Sequence, residues 1–145
     1  MTIVASDAYK RWQKFPMLFI GAMWGLRSQQ ILPVYRNVFD EARSKNNYDT
    51  LRLDMFEPFM PGEMITWQQA EVVYAVMQAV NGQGKRKISI ASGHGIGKST
   101  ILAMLILWFL FCFMESKVPC TAPTQSQMYD VLWAEIQKWI LKMPE

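Results

Sequence analysis

Residues 92 to 100 read Ser92-Gly93-His94-Gly95-Ile96-Gly97-Lys98-Ser99-Thr100, with glycine at alternate positions just ahead of a lysine and two hydroxyls. Glycines packed this closely cost too much conformational freedom to sit inside a helix or strand, so the run must turn. Backbone N–H groups can wrap a chain of phosphates only where no Cβ blocks their approach. Gly93, Gly95 and Gly97 clear that path, and Lys98 brings a positive charge to the β and γ phosphates. Ser99 would ligate Mg²⁺, and the start of the following helix would add its positive dipole end. The phosphate-binding set is therefore Gly93, His94, Gly95, Ile96, Gly97, Lys98, Ser99 and Thr100, with Lys98 as the catalytic residue. One position departs from the pattern G-x-x-x-x-G-K-[ST]: Ser92 stands where the first glycine belongs, and Gly93 follows it.

The flanks of the loop set the expected fold. Lys87-Ile88-Ser89-Ile90-Ala91 is short, apolar and β-branched, as a buried parallel strand should be, and the residues from Ile101 onward are rich in helix formers. Val118 to Ala122 reads as a second strand, and Gln125 to Leu141 as a second helix. A βαβα order of this kind predicts an α/β fold of the P-loop NTPase type, a parallel sheet flanked by helices. Ahead of it, Thr66 is placed to N-cap a helix from Trp67 to about Val80, whose apolar face is Val72, Val73, Val76, Met77 and Val80. Asn81-Gly82-Gln83-Gly84 ends that helix with two glycines suited to the left-handed conformation. Residues 8 to 32, interrupted at Pro16 and Pro33, read as one or two short helices. The stretch from Asp40 to Asn47 reads as a helix end and an exposed loop. The chain thus divides into a helical N-terminal segment, residues 1–55, and the first part of an ATPase domain, residues 56–145.

Composition narrows the class. With 145 residues, 51% of them hydrophobic, the chain can bury a real core, and a net charge of only +3 does not indicate a uniformly basic nucleic-acid coat. Lys85, Arg86, Lys87 and Lys98 make a local basic patch, either a solvated loop or an attractor of phosphate. Cys112 and Cys120 read as buried thiols, and a single histidine leaves no cluster with zinc-site spacing, so a reducing cytoplasm is the expected compartment. Ile101 to Met114 carries no charge, yet as a helix it reaches about 21 Å, short of the ~30 Å hydrocarbon core. It is expected to be buried all round against the sheet rather than to cross a membrane. Trp133, Ile136, Trp139 and Ile140 share one helical face and read as core. Thr124 and Gln125, at the carboxyl edge of the second expected strand, either meet substrate or cap the next helix.

Three segments in order carry a family resemblance. They are Thr66-Trp67-Gln68-Gln69 opening a helix, the S-G-H-G-x-G-K-S loop, and Thr121-Ala122-Pro123-Thr124-Gln125-Ser126-Gln127 followed by Leu132-Trp133-Ala134-Glu135-Ile136. Together, over roughly residues 56 to 142, they resemble the N-terminal ATPase region of the large terminase subunits of tailed bacteriophages. The resemblance implies ATP and Mg²⁺ as cofactors and a motor that couples ATP hydrolysis to translocation of double-stranded DNA into the procapsid. It implies phage DNA, the small terminase subunit, the portal protein and further copies of the chain as partners. The implied location is the host cytoplasm, at the procapsid portal, with no membrane. A glutamine ahead of the loop reads adenine in that family, and Gln68 is the matching position. Gln69 is its rival, and a merely polar first turn is the third possibility. An amide suits the task because it can accept from the exocyclic amine while donating to a ring nitrogen.

The acidic Walker B pair, the coupling motif and the nuclease of that family have no counterpart before Glu145. The chain is therefore expected to be the first part of a motor, able to bind ATP·Mg²⁺ weakly but not to turn it over, since phosphoryl transfer needs carboxylates to order the metal shell and the attacking water. Two other readings stay open. One is another P-loop DNA translocase or helicase-like ATPase. The other is a non-catalytic fragment recognised by a partner protein such as a host anti-phage sensor.

Overall fold

The computed structural model describes residues 2–58, 64–90, 97–121, 124 and 128–144. The chain begins with helix α1 (Thr2–Lys14) and helix α2 (Pro16–Trp24). Pro16 causes the break between them: it cannot donate into α1, it pushes Phe15 out of the helical region to φ −130° and ψ 89°, and its fixed φ suits the first position of α2. Gly25, in the left-handed conformation at φ 69°, ends α2 by donating its N–H to Gly21 O. Strand β1 (Arg27–Ser28) follows, then a 3₁₀ turn at Pro33–Tyr35 leading into helix α3 (Arg36–Lys45). Asn46, also left-handed, closes α3.

A second 3₁₀ turn, Leu53–Met55, precedes strand β2 (Met64–Ile65). Helix α4 (Trp67–Val80) then starts with a complete capping box: Thr66 Oγ1 accepts from the Gln69 N–H, and Gln69 Oε1 accepts from the Thr66 N–H. Of the two glycines expected to end α4 in the left-handed conformation, Gly82 adopts it at φ 73° and Gly84 does not. Helix α5 (Lys98–Cys112) comes next, and a π-helical turn at Met128–Trp133 runs into helix α6 (Ala134–Leu141).

The α/β expectation is corrected here. Among the described residues the sheet is a single parallel pair, β1 with β2, in the register Arg27 to Met64 and Ser28 to Ile65, and the rest is mainly helical. The segments expected to form the parallel sheet are unpaired where described: 87–90 and 118–121 take no strand conformation, while Ala91 and Ala122 lie outside the described residues. β-branched sequence records fitness for a pleated, half-buried surface, but a strand exists only where another strand completes its ladder. Residues 85–89 are exposed instead.

The principal core therefore forms between helices. Ile101, Met104, Leu105, Trp108 and Cys112 of α5 pack with Phe19 and Ile20 of α2, Leu26, Ile65 and Val73. This cluster draws on both sides of position 55. Ala103 and Leu107 of α5 meet Ile136 of α6 in a second cluster, and Phe39, Met55 and Phe56 make a third beside Trp67. The expectation that Ile101–Met114 is buried all round is also corrected, because Leu102, Leu110, Phe111 and Met114 are exposed. Trp133, at the end of the π-helical turn, and Ile140 of α6 are likewise exposed, so of the expected core face Ile136 is buried and Trp139 partly so. Cys112 is fully buried as expected, whereas Cys120 is only half-buried. Among the described residues no helix is long and apolar enough to cross a membrane.

Candidate functional site at the start of helix α5

Gly97 is the N-cap of α5, at φ 81° and ψ 33°. An L side chain rarely adopts that conformation, and a Cβ there would overlap the Gln69 amide nitrogen. Its carbonyl accepts twice, from the Ile101 N–H at 3.1 Å and from Gln69 Nε2 at 3.1 Å. The first acceptance begins the ladder of α5. The second ties the first turn of α4 to the first turn of α5.

Lys98, Ser99 and Thr100 form the opening turn of α5 and are half-buried. The first turn of a helix directs its backbone N–H groups outward along the axis, and the N-cap glycine brings no side chain to this one. That arrangement fits a phosphate group, with Lys98 and the Ser99 hydroxyl on the same turn. For Mg²⁺ the protein would supply one hydroxyl, Ser99, and leave the remaining positions to phosphate oxygens and water, as is usual for this ion. Among the described residues no group of three or more His, Cys, Asp or Glu side chains could hold a metal. Gly93, His94, Gly95 and Ile96 lie outside the described residues, as do Ser92, Pro123 and Gln125. Thr124 is described and exposed.

The two glutamines at the start of α4 differ in their commitments. Both ends of the Gln69 amide are taken, the oxygen by the capping box and the nitrogen by Gly97 O. None of these bonds involves Gln68, which sits half-buried one position earlier. Trp67 is fixed from several sides: its N–H donates to Gln29 Oε1 at 3.2 Å, and its ring stacks on Phe56 at 5.9 Å and lies 5.0 Å from Tyr48.

Sequence reading did not single out Glu135, which meets the same turn of α5 from the other side. Its Oε2 accepts from Thr100 Oγ1 at 3.2 Å and from Trp139 Nε1 at 3.1 Å. Trp139 in turn accepts at its backbone carbonyl from Trp24 Nε1 at 2.8 Å. The i to i+4 spacing of Glu135 and Trp139 is visible in the sequence, whereas their meeting with Thr100 depends on how α6 packs on α5. A cavity of about 370 Å³ adjoins this turn, with Gln69, Thr100, Trp139 and Lys142 in its wall.

A larger cavity, about 470 Å³, opens on another face of α4 and includes none of residues 97–100. Its wall includes the Arg43–Glu71 ion pair at 2.6 Å, with Arg43 also over the Tyr74 ring, and behind it the Tyr48 hydroxyl donates to Glu71 at 3.3 Å. Burial and the neighbouring Glu71 carboxylate push the Tyr48 phenol above its ordinary pKa. Arg43 loses hydration here, yet its hydrogen bond and charge pairing with Glu71 outweigh that and hold the guanidinium more firmly protonated than usual. These groups satisfy one another and clamp α3 to α4.

Comparison with protein-family models, with curated proteins and with solved structures gave no match to this chain.

Proposed function

We propose that the chain is the ATP-binding part of a viral DNA-packaging motor, a large terminase subunit that couples ATP hydrolysis to movement of double-stranded DNA into a procapsid. One observation carries the reading: within the S-G-H-G-x-G-K-S run, a left-handed Gly97 caps a helix that opens on Lys98, Ser99 and Thr100. A helix start with a glycine ahead and a lysine inside suits phosphate recognition. The T-W-Q-Q helix start bonded to Gly97 adds support, because the segment that would meet the base adjoins the segment that would meet the phosphates. With both ends of Gln69 occupied, Gln68 is the better base contact. ATP and Mg²⁺ are the cofactors of this reading. Its partners are phage DNA, the small terminase subunit, the portal protein and further copies of the chain, at the procapsid portal in the host cytoplasm.

The test is ATP·Mg²⁺ binding by calorimetry, with Lys98→Ala and Gln68→Ala beside the native sequence. The native chain is expected to bind weakly and to release no phosphate above the Lys98→Ala control. Lys98→Ala should abolish binding while the helical circular dichroism is retained. Gln68→Ala should weaken ATP by about tenfold and GTP less, the scale of losing hydrogen bonds to a part-buried amide. Equal binding by the native chain and Lys98→Ala would end the phosphate-site reading.

A further inference from the structure

A carboxylate from α6, Glu135, accepts from the opening turn of α5, and it is held on two sides. Glu135 stands next to Ile136, which is buried against Ala103 and Leu107 of α5, so the packing of α6 brings residue 135 against the turn just before them. One turn further along α6, Trp139 donates its indole N–H to the same Oε2 that Thr100 bonds. Trp139 is itself held by Trp24 at its carbonyl, and the ammonium groups of Lys142 and Lys138 lie 4.6 and 5.5 Å from its ring. Swinging Oε2 away from Thr100 would also strain its bond with the Trp139 indole. Both bonds to Oε2 are charge-assisted and correspondingly strong.

From this geometry we infer that Glu135 is a positioning residue for the phosphate site. It fixes the rotation of the first turn of α5 through Thr100, and so aims Lys98 and Ser99. It also links that turn to Trp139, so that occupancy of the phosphate site is felt at α6. The inference rests on the phosphate-site reading of Lys98 and Ser99. A positioning role separates from an electrostatic one, because glutamine retains an oxygen that can accept from Thr100 and Trp139 but carries no charge. Without any acceptor at 135, the Thr100 hydroxyl is released to compete for backbone groups near the helix start, as threonines do.

ATP·Mg²⁺ affinity is measured for the whole chain as the native sequence, Glu135→Ala, Glu135→Gln, Thr100→Val, the Glu135→Ala/Thr100→Val double variant, and Lys98→Ala. Glu135→Ala and Thr100→Val should each weaken binding roughly tenfold, the scale of a lost part-buried hydrogen bond. The double variant should be no weaker than either, since both remove the same link. Glu135→Gln should stay within about twofold of the native chain. Thr100→Val keeps the Glu135–Trp139 bond and nearly the same volume, so it carries the test if Glu135→Ala folds poorly.

The Trp139 indole resonance provides the second readout. There are six tryptophans, and Trp139→Phe identifies the relevant ¹H–¹⁵N signal. It should move on addition of ATP·Mg²⁺ in the native chain and stay still in Thr100→Val. Affinity unchanged in both Glu135→Ala and Thr100→Val, alongside loss in Lys98→Ala, overturns the positioning role and leaves the phosphate site standing. Equal loss in Glu135→Gln and Glu135→Ala overturns it as well, by showing that the charge itself is required. Binding that is absent from the native chain, or indifferent to Lys98→Ala, overturns the phosphate-site reading and this inference with it.

Discussion

Gly97 satisfies three demands together: a left-handed backbone, a carbonyl shared by Ile101 and Gln69, and the absence of a Cβ beside the Gln69 amide. A turn without Cβ atoms at this position was legible in the glycine spacing, whereas the left-handed conformation at Gly97 itself was not singled out. The contact with Gln69 was not legible either, because it spans 28 residues and no local pattern encodes it. Gly25 makes a natural control, being left-handed at φ 69° with open space where a Cβ would stand. Gly25→Ala is expected to cost about 1 kcal/mol, the backbone penalty alone. Gly97→Ala should cost roughly 1 to 2 kcal/mol more, because it also displaces a hydrogen-bonded amide. Urea denaturation of the two variants measures the difference. Equal costs would mean that Gln69 does not close over Gly97.

At the scale of elements, helices were far more legible than strands. Thr66 marks the start of α4 locally as its N-cap, and Pro16 marks the break between α1 and α2, since capping and proline geometry need no distant partner. Lys87–Ala91 looked equally decisive but required neighbouring strands that the sequence pattern does not specify. For α5 the helix itself was legible and its surroundings were not: an uncharged run says nothing about which residues find partners. Trp108 and Leu110 separate the expected environment from the observed one. Trp108 is buried and donates its indole N–H to Trp12 O at 2.6 Å, whereas Leu110 is exposed. Trp108→Phe should destabilise by about 2 to 3 kcal/mol, through lost volume and an unpaired carbonyl. Leu110→Gln should cost no more than about 0.5 kcal/mol. A helix buried all round would make both changes severe, and chemical denaturation distinguishes the two cases.

The whole molecule is joined by side chains that reach across the chain to backbone carbonyls: Gln13 to Cys112, Trp108 to Trp12, Trp24 to Trp139 and Asn81 to Lys14. These links fasten α1 and α2 to α4, α5 and α6, so Cys112 at the end of α5 is sealed by several elements at once. Burial pushes its thiol up to about 11 from an ordinary 9.0. The neutral thiol is therefore retained in the folded state at a pH where the unfolded chain has already lost its proton. Folded protein binds more protons than unfolded between roughly pH 9 and 11, and stability must fall as pH rises through that window. Two pH units correspond to at most about 2 to 3 kcal/mol. Lysines and tyrosines titrate in the same range, so the contribution of Cys112 is isolated by comparison with Cys112→Ala. That variant is expected to be less stable at pH 7, having lost a buried side chain, but to fall less steeply on the way to pH 11. Thiol labelling at pH 8 gives an independent check: half-buried Cys120 should react promptly, whereas Cys112 should wait for the elements around it to open. Identical pH slopes for the native chain and Cys112→Ala, or prompt labelling of both thiols, would show that the end of α5 is open to water and that the helices do not close over it as one core.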